Sequence, residues 1–328
     1  MFEGFLINGA VLLVSLLILM RASHLTITNA MKTSKASGMG ATTIGFLVMS
    51  FATSLPELMV SIFSTSGAGT VGIAVGNVLG SNIVNICLTL GICILIITRR
   101  KTGSVFEQLK GQMSKRENEN LYFGIFVASV IPLALIYIRD ASRVVGAVLL
   151  AIFAYNTYKM MKTSPSETGI IVDEAESHKK SHYLLMTLVG IIGVMGSAYF
   201  LVDSASALAV LFGVPSLVIG ATIVAFGTSV PELVTSVEAT RQGHLELAFG
   251  NVVGSGFVNL TFVLGINLIS TSFTVHMLSF HDLAIFSLIA NVFLWYFMSS
   301  GRINRREGFV LIFLYATFLF ATFGGYRT

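Results

Sequence analysis

The chain has 328 residues, of which 54% are hydrophobic and only 11% charged, with 31 glycines and a mean hydropathy of +0.84. Soluble domains carry about 25% charged residues, so this composition excludes them and places the chain in a bilayer. The net charge of +4, from 20 basic and 16 acidic side chains, is too small for a nucleic-acid footprint, and the positions of the charges carry the information.

About 20 apolar residues cross a hydrocarbon core. Segments of that kind recur ten times, over 4–30, 39–64, 71–97, 121–138, 144–161, 183–208, 215–239, 245–269, 283–299 and 308–323. The first is read as a retained span, because no basic start precedes it and no small-residue cleavage site follows. Cys87 and Cys93 share the third span six residues apart, too far along a helix to pair, and have no partner pattern for a metal. The polar stretch 162–182 is the one linker, dividing the chain into 1–161 and 183–328 with five spans each. The expected fold is all-α: a polytopic membrane protein of ten transmembrane helices.

Lysine and arginine are retained on the cytoplasmic side. Sixteen of the 20 basic residues fall in loops that follow odd-numbered spans: Lys32, Lys35, Arg99, Arg100, Lys101, Lys110, Lys115, Arg116, Lys159, Lys162, Lys179, Lys180, Arg241, Arg302, Arg305 and Arg306. Only Arg139, Arg143 and Arg327 fall on the other side. Both termini are therefore expected outside and the 162–182 loop inside.

The second and third spans repeat in the seventh and eighth. Phe51-Ala52-Thr53-Ser54-Leu55-Pro56-Glu57-Leu58 returns as Phe226-Gly227-Thr228-Ser229-Val230-Pro231-Glu232-Leu233, and Gly76-Asn77-Val78-Leu79-Gly80-Ser81 as Gly250-Asn251-Val252-Val253-Gly254-Ser255. Asn85 and Asn259 also match. Because the copies are five spans apart, they thread the membrane in opposite directions, as two inverted five-helix repeats.

A glutamate inside a span costs several kcal/mol unless it meets a cavity or a cation, and here two stand in matching places. Helical spacing puts Thr53, Glu57 and Ser61 on one face, with Thr228, Glu232 and Ser236 as their counterparts. Asn77, Ser81 and Asn85 form a third stripe, and Asn251, Ser255 and Asn259 a fourth. Asn77 and Asn251 suit either ligation or the tying of helices. Pro56 and Pro231 lack the N–H that would engage the carbonyls of Ala52 and Gly227. Gly76, Gly80, Gly250 and Gly254 permit close helix approach. The repeats offer oxygen alone, which suits calcium and not zinc or copper. Two ionised glutamates balance one Ca²⁺ or two Na⁺, so the two loads compete. Competition for one site between two inverted halves is the physical content of exchange.

At these motifs the chain resembles the cation/calcium exchanger superfamily, and most of all its prokaryotic sodium/calcium exchangers. The resemblance covers the ten-span plan, and its specific part lies within 46–91 and 220–265. It implies Glu57 and Glu232 as central metal ligands, with Thr53, Ser54, Thr228 and Ser229 supplying carbonyl or hydroxyl oxygens. Ser81, Asn85, Ser255 and Asn259 would flank them, and Ser50 and Ala225 would contribute backbone carbonyls. It further implies an antiporter in a prokaryotic cell membrane that moves sodium in and calcium out, with no cofactor and no protein partner beyond the lipid bilayer. The first and sixth spans would slide over a fixed core. The chain departs at Asn259, where an aspartate is usual, which removes one titratable group. It departs also at Ser50, where alanine is usual, and at Gly256, which stands opposite Asn82 in the repeat.

Three other readings compete. A proton-coupled cation antiporter needs the same carboxylates. A passive cation channel also needs them, but suits an inverted repeat less well. An intramembrane hydrolase would need Ser54 or Ser229 with His24, yet the chain carries neither a Gly-x-Ser-x-Gly nor a His-Glu-x-x-His motif. His24 is read as a packing group, and the 25 phenylalanines as bilayer-facing surface.

Overall fold

A computed structural model describes residues 2–36, 50–65, 71–100, 105–106, 109, 115–138, 140–141, 143–163, 180–270, 273–274, 277–301 and 303–324. The start of the expected second span and most of the expected linker lie outside them. Apolar runs in lipid must close their own backbone hydrogen bonds, so they fold as helices. The first half holds α1 (Phe2–Ala36), α2 (Ser50–Thr53), α3 (Leu55–Thr65), α4 (Val71–Ile83), α5 (Gly91–Arg100), α6 (Lys115–Ile138) and α7 (Arg143–Thr163). The second holds α8 (Lys180–Phe212), α9 (Ser216–Ile219), α10 (Ala225–Thr228), α11 (Val230–Gln242), α12 (Leu245–Val258), α13 (Leu264–Ser270), α14 (Met277–Ser299) and α15 (Arg305–Gly324). Helix occupies each expected span wherever it is described. Among the described residues, seven helical stretches are long and apolar enough to cross a membrane, or eight if a bent pair counts as one span. An antiparallel contact of two residues on each side, Asp140 opposite Thr274 and Ala141 opposite Phe273, joins two interhelical loops.

Burial sorts the helices into a centre and a periphery. In the most apolar window of the stretch through α4 and α5, 78% of residues are buried, and in that through α12 and α13, 83%; for α1 and α8 the figures are 22% and 33%. The repeat-bearing helices therefore form the core. The long pair α1 and α8 packs together at Gly190 and Gly193, which face Thr26 and Ala22. Leu12, Leu19, Val194, Ala198 and Leu201 join this pair to Val60, Ile73 and Ile219 of the core. Phenylalanine does not behave uniformly as lipid-facing surface: Phe249, Phe257, Phe280 and Phe318 are fully buried, whereas Phe126, Phe313 and Phe320 are exposed. Both the helix and its face decide: Phe249 and Phe257 lie on the central α12, whereas on α15 Phe318 turns inward and Phe313 and Phe320 outward.

Among the described residues, three π-helical segments interrupt the core: Val84–Leu90 between α4 and α5, Gly220–Val224 between α9 and α10, and Asn259–Val263 between α12 and α13. Each widens the helix by about one residue per turn and resets which side chains share a face, a device common at functional sites. The first contains Asn85 and the third starts at Asn259.

Glycine sets the closest approach within the core. A Cβ on Gly76 would strike the carbonyl of Leu217, one on Gly80 the carbonyl of Ala221, and one on Gly220 the carbonyl of Ile73. Here α4 and the α9 segment touch backbone to backbone. In the other half a Cβ on Gly250 would meet nothing within 4 Å among the described residues.

Candidate cation site

Each copy of the proline motif breaks a helix beside its glutamate. Pro231 cannot donate to Gly227, so α10 and α11 meet at Ser229 with a bend of 42°. In the first half the break between α2 and α3 falls at the matching Ser54. The break places Glu57 in the first turn of α3 and Glu232 in the first turn of α11. Each carboxylate therefore sits at the positive end of a half-helix, which is equivalent to about half a charge. The remainder of each negative charge needs another source.

All the residues singled out from the sequence are buried: Ser50, Thr53, Ser54, Glu57, Ser81, Asn85, Ala225, Thr228, Ser229, Glu232, Ser255 and Asn259. Hydrogen bonds join several of them across the two halves. The hydroxyls of Ser229 and Ser81 donate to Glu57 Oε1 at 3.3 and 3.4 Å, both long and weak. The Thr228 hydroxyl donates to Asn77 Oδ1 at 2.9 Å, and Thr53 stands 3.3 Å from Asn251 Oδ1 and 3.1 Å from the Ser255 hydroxyl. Ser50 reaches the Asn251 carbonyl at 3.5 Å. Glu57 and Glu232 lie within electrostatic reach of one another, with Thr53 and Ser255 beside Glu232.

The carbonyls of Ser50 and Ala225 differ from the sequence expectation in one respect: both are already engaged. Ser50 accepts from the Thr53 hydroxyl at 3.2 Å and the Ser54 N–H at 3.0 Å. Ala225 accepts from the Thr228 hydroxyl at 3.3 Å and the Ser229 N–H at 3.1 Å. For either carbonyl to face an ion, its threonine hydroxyl has to rotate away. Each threonine carries a single hydroxyl proton, so bonding to the asparagine across the repeat frees one lone pair of the carbonyl.

Several polar atoms have no hydrogen-bond partner among the described residues. They are Glu57 Oε2, both oxygens of Glu232, the Ser54 and Ser61 hydroxyls, Asn77 Nδ2, and both polar atoms of Asn85 and Asn259. Leaving such groups dry and unpaired costs on the order of 1–3 kcal/mol each, and far more for a charge. Their concentration on the four repeat stripes describes a place prepared for hard cations or water.

Two residues matter more than their motif suggested. Asn77 and Asn251 act as ties: Asn251 accepts from Thr53 and donates to Ser236 at 3.0 Å and Thr235 at 3.2 Å. Asn82 was invisible as a partner, and its amide donates to Ser287 on α14 at 2.8 Å. Its oxygen occupies the room left by Gly256, where a Cβ would come within 2.7 Å. The asymmetry between these two repeat positions was the available signal. His24 is exposed rather than packed, Asp203 is exposed, and exposed Glu238 accepts from Gln242 at 2.9 Å. None of the three belongs to the site.

Comparison with known proteins agrees in extent and kind. The family model described as "Sodium/calcium exchanger protein" matches residues 7–161 and 182–324. The chain is 30% identical to sodium/calcium exchanger MaX1 of Methanosarcina acetivorans, over 97% of this chain and 99% of that one. It is 29% identical to inner membrane protein YrbG of Escherichia coli, over 88% of each. Among solved structures it is similar to the sodium-calcium exchanger NCX_Mj soaked with 10 mM Na⁺ and zero Ca²⁺, with a TM-score of 0.67 and 25% identity. That match covers 95% of this chain and 97% of the other.

Proposed function

Because the chain belongs to the sodium/calcium exchanger family, a family of membrane antiporters and not of enzymes, we propose that it exchanges Na⁺ for Ca²⁺ by alternating access at one midplane site built around Glu57 and Glu232. In this reading ten spanning segments form two inverted five-helix repeats, with both termini outside and the 162–182 loop in the cytoplasm. Thr53, Ser54, Thr228 and Ser229 complete the inner ligand set, and Ser81, Asn85, Ser255 and Asn259 flank it. Ser50 and Ala225 contribute carbonyls once their threonines turn. No cofactor is needed, since the ions are the cargo.

One observation carries this reading: two fully buried glutamates at matching positions hold three carboxylate oxygens with no hydrogen-bond partner among the described residues. Ionised, the pair has a charge of −2, matched by one Ca²⁺ or two Na⁺. Either load is costly to omit at low dielectric. A single carboxylate pair cannot hold both loads, so binding of one expels the other. Helix breaks beside each glutamate, with the long α1–α8 pair packed across the core, provide parts that can move against one another.

The test is calcium uptake into proteoliposomes. Uptake should appear when Na⁺ is loaded inside and vanish when the sodium gradient is collapsed. Uptake that ignores the gradient would indicate a channel, and uptake that follows a pH gradient alone would indicate proton coupling.

A further inference from the structure

Two helical turns beyond Asn259, Asn267 is fully buried, and neither its Nδ2 nor its Oδ1 has a hydrogen-bond partner among the described residues. The direction of its side chain follows from its neighbours on α13. Gly265 and Ile269 face Gly146 on α7. Two residues correspond to about 200° around an α-helix, so Asn267 points to the opposite side. Besides α7, α13 packs against α3 and α4, the helices that carry Glu57 and Asn77. Ser61, also fully buried with an unpartnered hydroxyl, lies one turn beyond Glu57 on α3, toward the same end.

The π segment Asn259–Val263 makes this arrangement possible. In a regular α-helix, residues eight apart differ by about 80° in direction. The wider π turn absorbs about one residue, which returns Asn267 toward the face of Asn259. The stripe Asn251, Ser255, Asn259 thus continues past the glutamates for about 10 Å. The matching position in the other half is Cys93, a buried thiol. An amide at that distance therefore exists on the side of Ser270 alone, which the distribution of basic residues assigns to the exterior; the first half carries a buried Thr89 hydroxyl one turn beyond Asn85 and no amide further on.

We propose that Asn267 is a second cation station, placed between the glutamate site and the outer face, which takes the transported hard cation while it still holds part of its water shell. A neutral amide oxygen suits that task. It replaces one water ligand of Na⁺ or Ca²⁺ without adding a charge that would trap the ion. The inference rests on the exchange reading given above, and it adds a sidedness that the repeat symmetry alone lacks.

The experiment measures the apparent KM for Ca²⁺ separately at the two faces, in right-side-out and everted membrane vesicles, for wild type, Asn267→Leu and Asn267→Asp. For Asn267→Leu the outer-face KM should rise about fivefold, the worth of one lost polar contact, while the inner-face KM stays within about twofold. Asn267→Asp should lower the outer-face KM and leave the inner face unchanged. It decides the matter alone if the leucine variant does not reach the membrane. Equal effects at both faces, an effect at the inner face alone, or no effect overturns the station. Loss of the exchange reading would instead show as sodium-independent uptake by the wild type in the same vesicles.

Discussion

The Thr228 hydroxyl donates to Asn77 Oδ1 at 2.9 Å across the two halves of the chain, and Thr53 repeats the contact with Asn251 Oδ1 at 3.3 Å. The two ties are not equal in strength. Asn251 also donates to Ser236 and Thr235, whereas Asn77 Nδ2 has no partner among the described residues. Removing one buried partner exposes the penalty of every group left behind. Asn251→Ala should therefore destabilise the protein by about 1–3 kcal/mol, and Asn77→Ala by less. Thermal unfolding in detergent orders the two, and the reverse order would show that these hydrogen bonds do not govern stability here.

The donors around the glutamates are unequal as well. Ser229 donates to Glu57 Oε1 at 3.3 Å, while the hydroxyl of Ser54, its counterpart, has no partner among the described residues. Ser229→Ala should weaken calcium affinity about fivefold, and Ser54→Ala by less than about twofold. Calcium-dependence curves in proteoliposomes measure both, and equal losses would mean that the asymmetry does not survive ion loading.

Asn82 and Gly256 share one space. An asparagine at 256 would place its Cβ 2.7 Å from Asn82 Oδ1, and Asn82 cannot retreat without losing Ser287. Gly256→Asn should cost about 1–3 kcal/mol as an overpacking change. Adding Asn82→Gly should recover part of that loss, a coupling that a double-mutant cycle reads directly. Additive losses would separate the two positions.

Asn259 brings a buried amide where the resembling exchangers place a carboxylate, and both its polar atoms lack partners among the described residues. Asn259→Asp raises the available negative charge from two to three. A steeper sodium dependence of calcium transport should follow, read as the Hill slope of external sodium titrations. An unchanged slope would mean that this side chain does not limit sodium loading.

The all-helical membrane architecture was legible because bilayer crossing imposes a length and a composition; among the described residues seven helical stretches, or eight with the bent pair, meet both. The paired glutamates stood out because charge inside a span is costly, and the repeat made each witness to the other. The π segments were not legible: Asn259-Leu260-Thr261-Phe262-Val263 carries no proline or glycine to mark a departure from a regular helix. Nor was the role of Asn251, since spacing places an amide on a face without saying whether it meets an ion or a threonine. The lipid-facing reading of phenylalanine failed at Phe249 and Phe257, where the helix is surrounded by protein.

The central claim is that Glu57 and Glu232 together hold the exchanged cation. Its most direct measurement is sodium-gradient-driven calcium uptake by purified, reconstituted Glu57→Gln and Glu232→Gln, each shown by its elution profile and thermal unfolding to be folded. Glutamine keeps the shape and removes the charge, so both variants should lose uptake to the level of empty liposomes. Uptake at the wild-type rate by both folded variants would contradict the account.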